Sequence, residues 1–308
     1  YEALKTEDTG SRNTAVGAYT LNVLNNDALT YNTAVGYAAG LAITTGVQNT
    51  YVGGLAGDAV VDGTNNVGIG FEALSADHGS GETAVGTRAL KVSTADNNTA
   101  VGLNALTANT SGANNAAVGK DALGSNTTGA SNSAMGEVAL TTNTTGAENV
   151  AIGANALRYN TTGDQNAALG NKALQANTTG ANNVSLGYGA LTANTTAGNN
   201  VAIGRTAMEA NTTGANNVAI GKDAMIANTT AASNVAIGVD VMDANTTGAD
   251  NVAVGRDALG ANTTAASNVA IGRTALGANT TGASNVAIGS LALDANTTAS
   301  YITAVGEK

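Results

Sequence analysis

The residues of this chain best able to do chemistry are few, and they begin with a single imidazole. His78 lies in the stretch SADHGSGE, with Asp77 before it and Glu82 four residues after it. A histidine between carboxylates could hold a metal or act as a general base. Both tasks need partners, and the 308 residues include one His and no Cys. His78 is therefore expected to be a solvent-exposed loop residue. Three adjacent charge pairs, Lys120-Asp121, Lys222-Asp223 and Arg256-Asp257, each follow a Gly. They read as exposed corner charges pairing between neighbouring copies or chains rather than as a binding stripe. The glycines form no phosphate-cradling loop followed by a helix and Lys. The nine-residue Gly-Asp calcium repeat is absent as well. No catalytic, cofactor-binding or metal-binding residue is expected, and the chain reads as non-enzymatic.

Hydroxyls and amides are the other chemistry on offer. Asn-Thr-Thr or Asn-Thr-Ser occurs twelve times, opening at Asn109, Asn126, Asn143, Asn160, Asn177, Asn194, Asn211, Asn228, Asn245, Asn262, Asn279 and Asn296. Each is an acceptor sequence for N-glycosylation in a host that glycosylates Asn. The plainer reading is that Asn and Thr are good corner residues. The threonines after the corner Asn, such as Thr212, Thr229, Thr246 and Thr263, would form a ridge one hydroxyl deep per copy. Such a ridge could touch glycans or ice, with affinity supplied by multivalency. The net charge of −10 weighs against nucleic acid. No run of 18 apolar residues is present to span a membrane.

What must position these groups is a repeat. Aligned on the Gly of VAIG, the chain holds eighteen copies from Gly17 to Gly306, spaced 17 residues apart except for one step of 19 and two of 16 near the amino end. The residue before each Gly is Ile, Val, Leu or Met, and the one before that is nearly always Ala. Asn opens the segment in sixteen copies, with Glu82 and Ile302 the exceptions. An Ala-Leu or Ala-Met pair follows the Gly by three and four residues.

Gly and Asn-Thr-Thr interrupt too often for a helix. Asn-Val-Ala-Ile-Gly suits a short strand with Val and Ile on one face and Ala on the other. Ala-Leu-x-Ala-Asn suits a second strand, with Gly and Asn at the corners. The expectation is an all-β parallel β-solenoid of about eighteen 17-residue rungs, each one copy of the repeat, and roughly 85 Å long at the strand spacing. Its Asn columns should form ladders along the axis. Both strand faces are apolar, so one face should pack against another chain. The Ile column is expected inside and the Ala column outside, and Ala202→Glu, Ala219→Glu and Ala236→Glu together are expected to dissociate the assembly or prevent folding.

The segments NSAMG, NVAIG and NTAVG followed by an Ala-Leu pair resemble the head repeats of trimeric autotransporter adhesins. NTAVGYAAG and NTTGANNVAIG are also similar to shaft repeats of bacteriophage tail fibres. The resemblance covers essentially the whole chain. It implies a left-handed parallel β-roll with three chains side by side, and an extracellular fibre shaft or adhesin head on a bacterial or virion surface. The implied partners are two further copies of the chain, with host-cell glycans or surface proteins as ligands; an end-to-end filament is the competing assembly. The longer period and the added Asn-Thr-Thr-Gly turn depart from that pattern. Tyr1-Glu2-Ala3-Leu4 matches the middle of a copy, so the chain reads as a fragment. Residues 1–95 hold the irregular steps and most of the aromatics, and are expected to carry longer loops such as NVLNNDAL and GDAVVDGTN; residues 96–308 are the regular array.

Overall fold

A computed structural model of the chain describes residues 1–7, 11–26 and 29–307. Asp27 and Ala28, in the first of the two expected loops, lie outside the described residues. The structure is all-β, with eighteen three-residue parallel strands and no helix among the described residues. It divides into two compact units, Tyr1–Asn149 and Val150–Lys308. The first holds β1 (Thr14–Val16), β2 (Thr33–Val35), β3 (Thr50–Val52), β4 (Val67–Ile69), β5 (Thr83–Val85), β6 (Thr99–Val101), β7 (Ala116–Val118) and β8 (Ser133–Met135). The second runs from β9 (Val150–Ile152) to β18 (Thr303–Val305).

Within each unit every strand pairs with the next copy in strict register, as Thr33↔Thr50 and Val201↔Val218 illustrate. The irregular steps leave that register intact: Thr14 pairs with Thr33 and Val67 with Thr83. The extra or missing residues are absorbed between strands, where the chain is free of the ladder.

The strand faces are reversed from the expectation. Ala202, Ala219 and Ala236, at the middle of their strands, are fully buried. The Ile column is outside: Ile152, Ile237 and Ile271 are 40%, 38% and 39% exposed. In a three-residue strand the first and third side chains share a face, so the coil must choose between one small residue and two large ones. It is thin, and the other half of each rung already sends in an Ala and a Leu or Met. Only the small residue fits opposite them.

The expected second strand is absent. In the rung of Val201, Ala207 N–H donates to the Gly204 carbonyl (3.4 Å), Glu209 to Thr206 (3.2 Å) and Asn211 to Met208 (3.1 Å), three successive turns. Thr206 and Met208 have φ of 55° each, the sign a type II turn needs at its third position. A strand would send Ala207 and Met208 to opposite faces. The turns bring both inside, where both are fully buried. The left-handed conformation costs a non-glycine residue about 1–2 kcal/mol. Burying the large side chain returns about 1.5–3 kcal/mol, which offsets it.

One column accepts only Gly. Gly70 has a φ of 135°, and a Cβ there would lie 2.6 Å from the Gly86 carbonyl oxygen of the next rung.

Candidate functional site

Two asparagine ladders line the coil and take up the corner chemistry. In the first, Asn217 N–H donates to Asn200 Oδ1 (2.9 Å), and Asn217 Nδ2 donates to the Ala231 carbonyl (2.9 Å). In the second, Asn211 Nδ2 donates to Asn194 Oδ1 and to the Gly214 carbonyl, both at 3.0 Å. The amides hydrogen-bond along the axis, as expected of ladders, and they do so buried inside the coil, where their hydrogen bonds reward each rung for stacking on the last.

This second ladder is also the set of sequon asparagines. Asn109, Asn126, Asn143, Asn160, Asn177, Asn194, Asn211, Asn228, Asn245, Asn262 and Asn279 are fully buried, while Asn296 is half-buried. The Nδ2 that glycosylation would modify is inside the coil and already donating. Of the threonine ridge, Thr212, Thr229, Thr246 and Thr263 are half-buried. Thr212 and Thr229 hydroxyls donate to the carbonyls of Thr229 (3.0 Å) and Thr246 (3.1 Å). The exposed hydroxyl column is the second threonine of each corner: Thr213, Thr230, Thr247 and Thr264.

The corner charges pair first within their own copy, each cation with the adjacent Asp, and Lys120 and Lys222 also reach a carboxylate of the following rung. Lys120 Nζ lies 3.7 Å from both Asp121 and Glu137 of the following rung, and Arg256 lies 3.3 Å from Asp257. The Lys222 ammonium, 2.5 Å from Asp223, holds that carboxyl below its ordinary range. All three cations are more than half exposed, where such pairs add little stability.

His78 departs from its expected place. It is 3% exposed. Its corner is one residue short, and the ring turns inward where the regular copies put the second-ladder Asn. Nδ1 lies 3.0 Å from the Gly79 carbonyl and so carries the proton, leaving Nε2 as a buried acceptor without a partner. Burial holds His78 below its ordinary pKa, so it is neutral. The ring lies 6.3 Å from that of Tyr51. Tyr51 is fully buried, and its hydroxyl, beside the Asn66 side chain, has no partner of good geometry. Burial pushes its phenol well above the ordinary value.

Tyr51 stands where other rungs have the interior Ala, and its neighbours have shrunk around it. A Cβ on Gly57 would lie 2.5 Å from the Tyr51 ring, one on Gly68 2.9 Å and one on Gly40 3.4 Å. Gly57 and Gly40 occupy the column that elsewhere holds Leu, and Gly68 the column that holds Ala. The exchange of one ring for three side chains was readable in the aligned copies as a Tyr among alanines with glycines around it. Glu82 is fully buried in the first Asn ladder, its N–H donating to Asn66 Oδ1. Tyr51, His78 and Glu82 are thus all enclosed by the coil. Among the described residues no three His, Cys, Asp or Glu side chains converge to hold a metal ion.

On the outside, two features stand out. The first is the outer strand face, with Val101, Val118 and Met135 of the first unit 36%, 37% and 54% exposed and Leu169, Leu186 and Ile288 of the second 36%, 44% and 37%. The second is an aromatic staircase at the amino end: Tyr1 meets Tyr19 edge-on at 5.5 Å, and Tyr19 meets Tyr37 at 5.8 Å. Tyr37 and Phe71, in the same corner column, are 59% and 47% exposed. Among the described residues no helix is long and apolar enough to cross a membrane. Compared with models of protein families and with curated proteins, the chain matches none.

Proposed function

We propose that the protein is a non-enzymatic extracellular structural protein, a fibre shaft or adhesin head projecting from a bacterial or virion surface, made of three identical chains side by side. One observation carries this reading: in each unit the outward face of a parallel sheet holds an apolar column, the Val, Ile, Leu or Met before each Gly, joined in most strands of the second unit by a column of Val such as Val201 and Val218. Parallel sheets are ordinarily covered on both faces. Here the inner face is covered by the chain's own turns and the outer face is open. A second copy matches it rung for rung, because both repeat at the same strand spacing. The resemblance of the repeat to adhesin heads and tail-fibre shafts supports three copies and the extracellular setting. Repetition suits such a role, since each added rung extends the protein without a new design.

The test separates the two strand columns. Light scattering of the native protein should give the mass of three chains. Ile203→Glu, Ile220→Glu and Ile237→Glu together should yield a monomer that keeps its β-sheet circular dichroism, whereas Ala202→Glu should abolish folding. A native monomer overturns the reading. A second reading, ligand binding, is favoured by the aromatic staircase, with Tyr1 and Tyr37 exposed and Tyr19 half-buried between them, and by the exposed second-threonine column. Aromatic faces and hydroxyl edges together suit glycans, and alanine substitutions at Tyr19 and Tyr37 with glycan-array binding as readout would decide it.

A further inference from the structure

The first asparagine ladder is broken at one place in the amino-terminal unit, and the break has a specific chemistry. A regular ladder Asn does two things: its Oδ1 accepts the N–H of the next rung's ladder residue, and its Nδ2 donates to a corner carbonyl. Asn49 donates to the Gly63 carbonyl at 2.8 Å, Asn66 to Gly79 at 3.1 Å and Asn115 to Gly129 at 2.9 Å. Glu82 takes the same position: its N–H donates to Asn66 Oδ1 at 2.8 Å, and its Oε1 accepts from Asn98 Nδ2 at 3.1 Å. Oε1 thus does the work of an Asn Oδ1. Oε2 stands in for the donor Nδ2, and it is buried without a partner. The carbonyl next in that corner column is that of Ala95, which lies 3.0 Å from where a Cβ on Gly79 would be.

We propose that Glu82 serves as a ladder residue only as the neutral acid, its Oε2–H replacing the amide donor of the asparagines, so that this rung is a proton-dependent seam in the ladder. An ionised Glu82 would present a bare oxygen to a carbonyl column. The groups facing it are Asn66 from the rung before and Ser93, Asp96 and Asn98 from the rung after. The one charge among them, Asp96, is of like sign and disfavours ionisation further. Burial is the largest cause and outweighs the Asn98 and Ser93 hydrogen bonds that favour the carboxylate; with Asp96 adding to it, the carboxyl is raised to about 8. A carboxyl raised in the folded state contributes stability fully below its ordinary value of 4.5, and that contribution is lost as pH rises toward 8. Opening in base therefore starts here.

The experiment is amide hydrogen exchange at Thr83 and Val67, whose N–H groups donate to the Asn98 and Glu82 carbonyls, in wild type and Glu82→Gln at matched pH. Gln keeps the shape and supplies a donor that does not titrate. The ratio of wild-type to variant exchange should climb, by up to about tenfold per pH unit, between pH 5 and 8. A flat ratio overturns the proposal. Should the variant fail to fold, a carbon-13 titration of the Glu82 carboxyl in the wild-type protein decides: a midpoint near 8 supports the seam, and one near 4.5 overturns it.

Discussion

At the scale of single residues, the interior is governed by volume and by which groups can be neutral. Tyr51 fills space that three glycines leave open, so its truncation should create a large cavity. Tyr51→Ala is expected to cost about 3–5 kcal/mol in urea denaturation. Gly57 has a φ of 59°, the conformation that the Leu column adopts elsewhere. Tyr51→Ala combined with Gly57→Leu restores the regular Ala and Leu pattern, and should recover a large part of the loss. If the double variant is no more stable than the single one, the volume exchange is not what holds this rung. His78 makes the opposite pH prediction to Glu82. Its folded pKa is below the ordinary 6.5, so its stabilising contribution is complete above 6.5 and is lost as pH falls below it. The melting temperature of the wild type should fall relative to that of the His78→Asn variant as pH drops below 6.5, and an unchanged difference would remove His78 from this role.

At the scale of the element, a rung is a three-residue strand and a string of turns that carry the packing. The strand supplies register and one small inward residue. The turns supply the bulk, because a positive φ at every second position folds Ala and Leu onto the same side. This division explains why the chain tolerates steps of 16 and 19 residues, since length can vary where no ladder must be kept. It also explains why the column after the strand is glycine. Gly70→Ala would add backbone strain of about 1–3 kcal/mol, and its Cβ would also press on the carbonyl of Gly86. The rung should be destabilised by more than the strain alone, read as a lowered urea midpoint. A nearly unchanged midpoint would mean that the rungs can slide apart to make room.

At the scale of the whole molecule, the outward surface is sparse in charge and apolar along the sheets. The chain carries 12 basic and 22 acidic residues among 308, and the Lys120, Lys222 and Arg256 ion pairs lie on corners rather than on the strand face. If copies associate through the Ile and Val columns, their contact is apolar and salt should not loosen it, since screening acts on exposed charges. Sedimentation at low salt and at 1 M sodium chloride is expected to give the same three-chain mass. Dissociation at high salt would instead place the corner charges at the interface and remove the apolar face from that role.

The sequence by itself determined the period, the parallel stacking, the position of each strand and the asparagine ladders. These follow from demands that each residue makes locally: Gly where φ is positive and space is absent, Asn where an amide must reach along the axis, short apolar runs where a ladder forms. Which strand face lies inside was decided only by the tertiary structure. Val-Ala-Ile is apolar on both sides, and the choice depends on how much room the opposite half of the rung leaves. That half was itself misread as a strand, because Ala-Leu-x-Ala carries no sign of the left-handed Leu; only the need to bury both side chains at once imposes it. His78 looked like a loop residue for the same reason. Its burial depends on a corner one residue short and on Tyr51 across the coil, contacts made between rungs and invisible in either stretch alone.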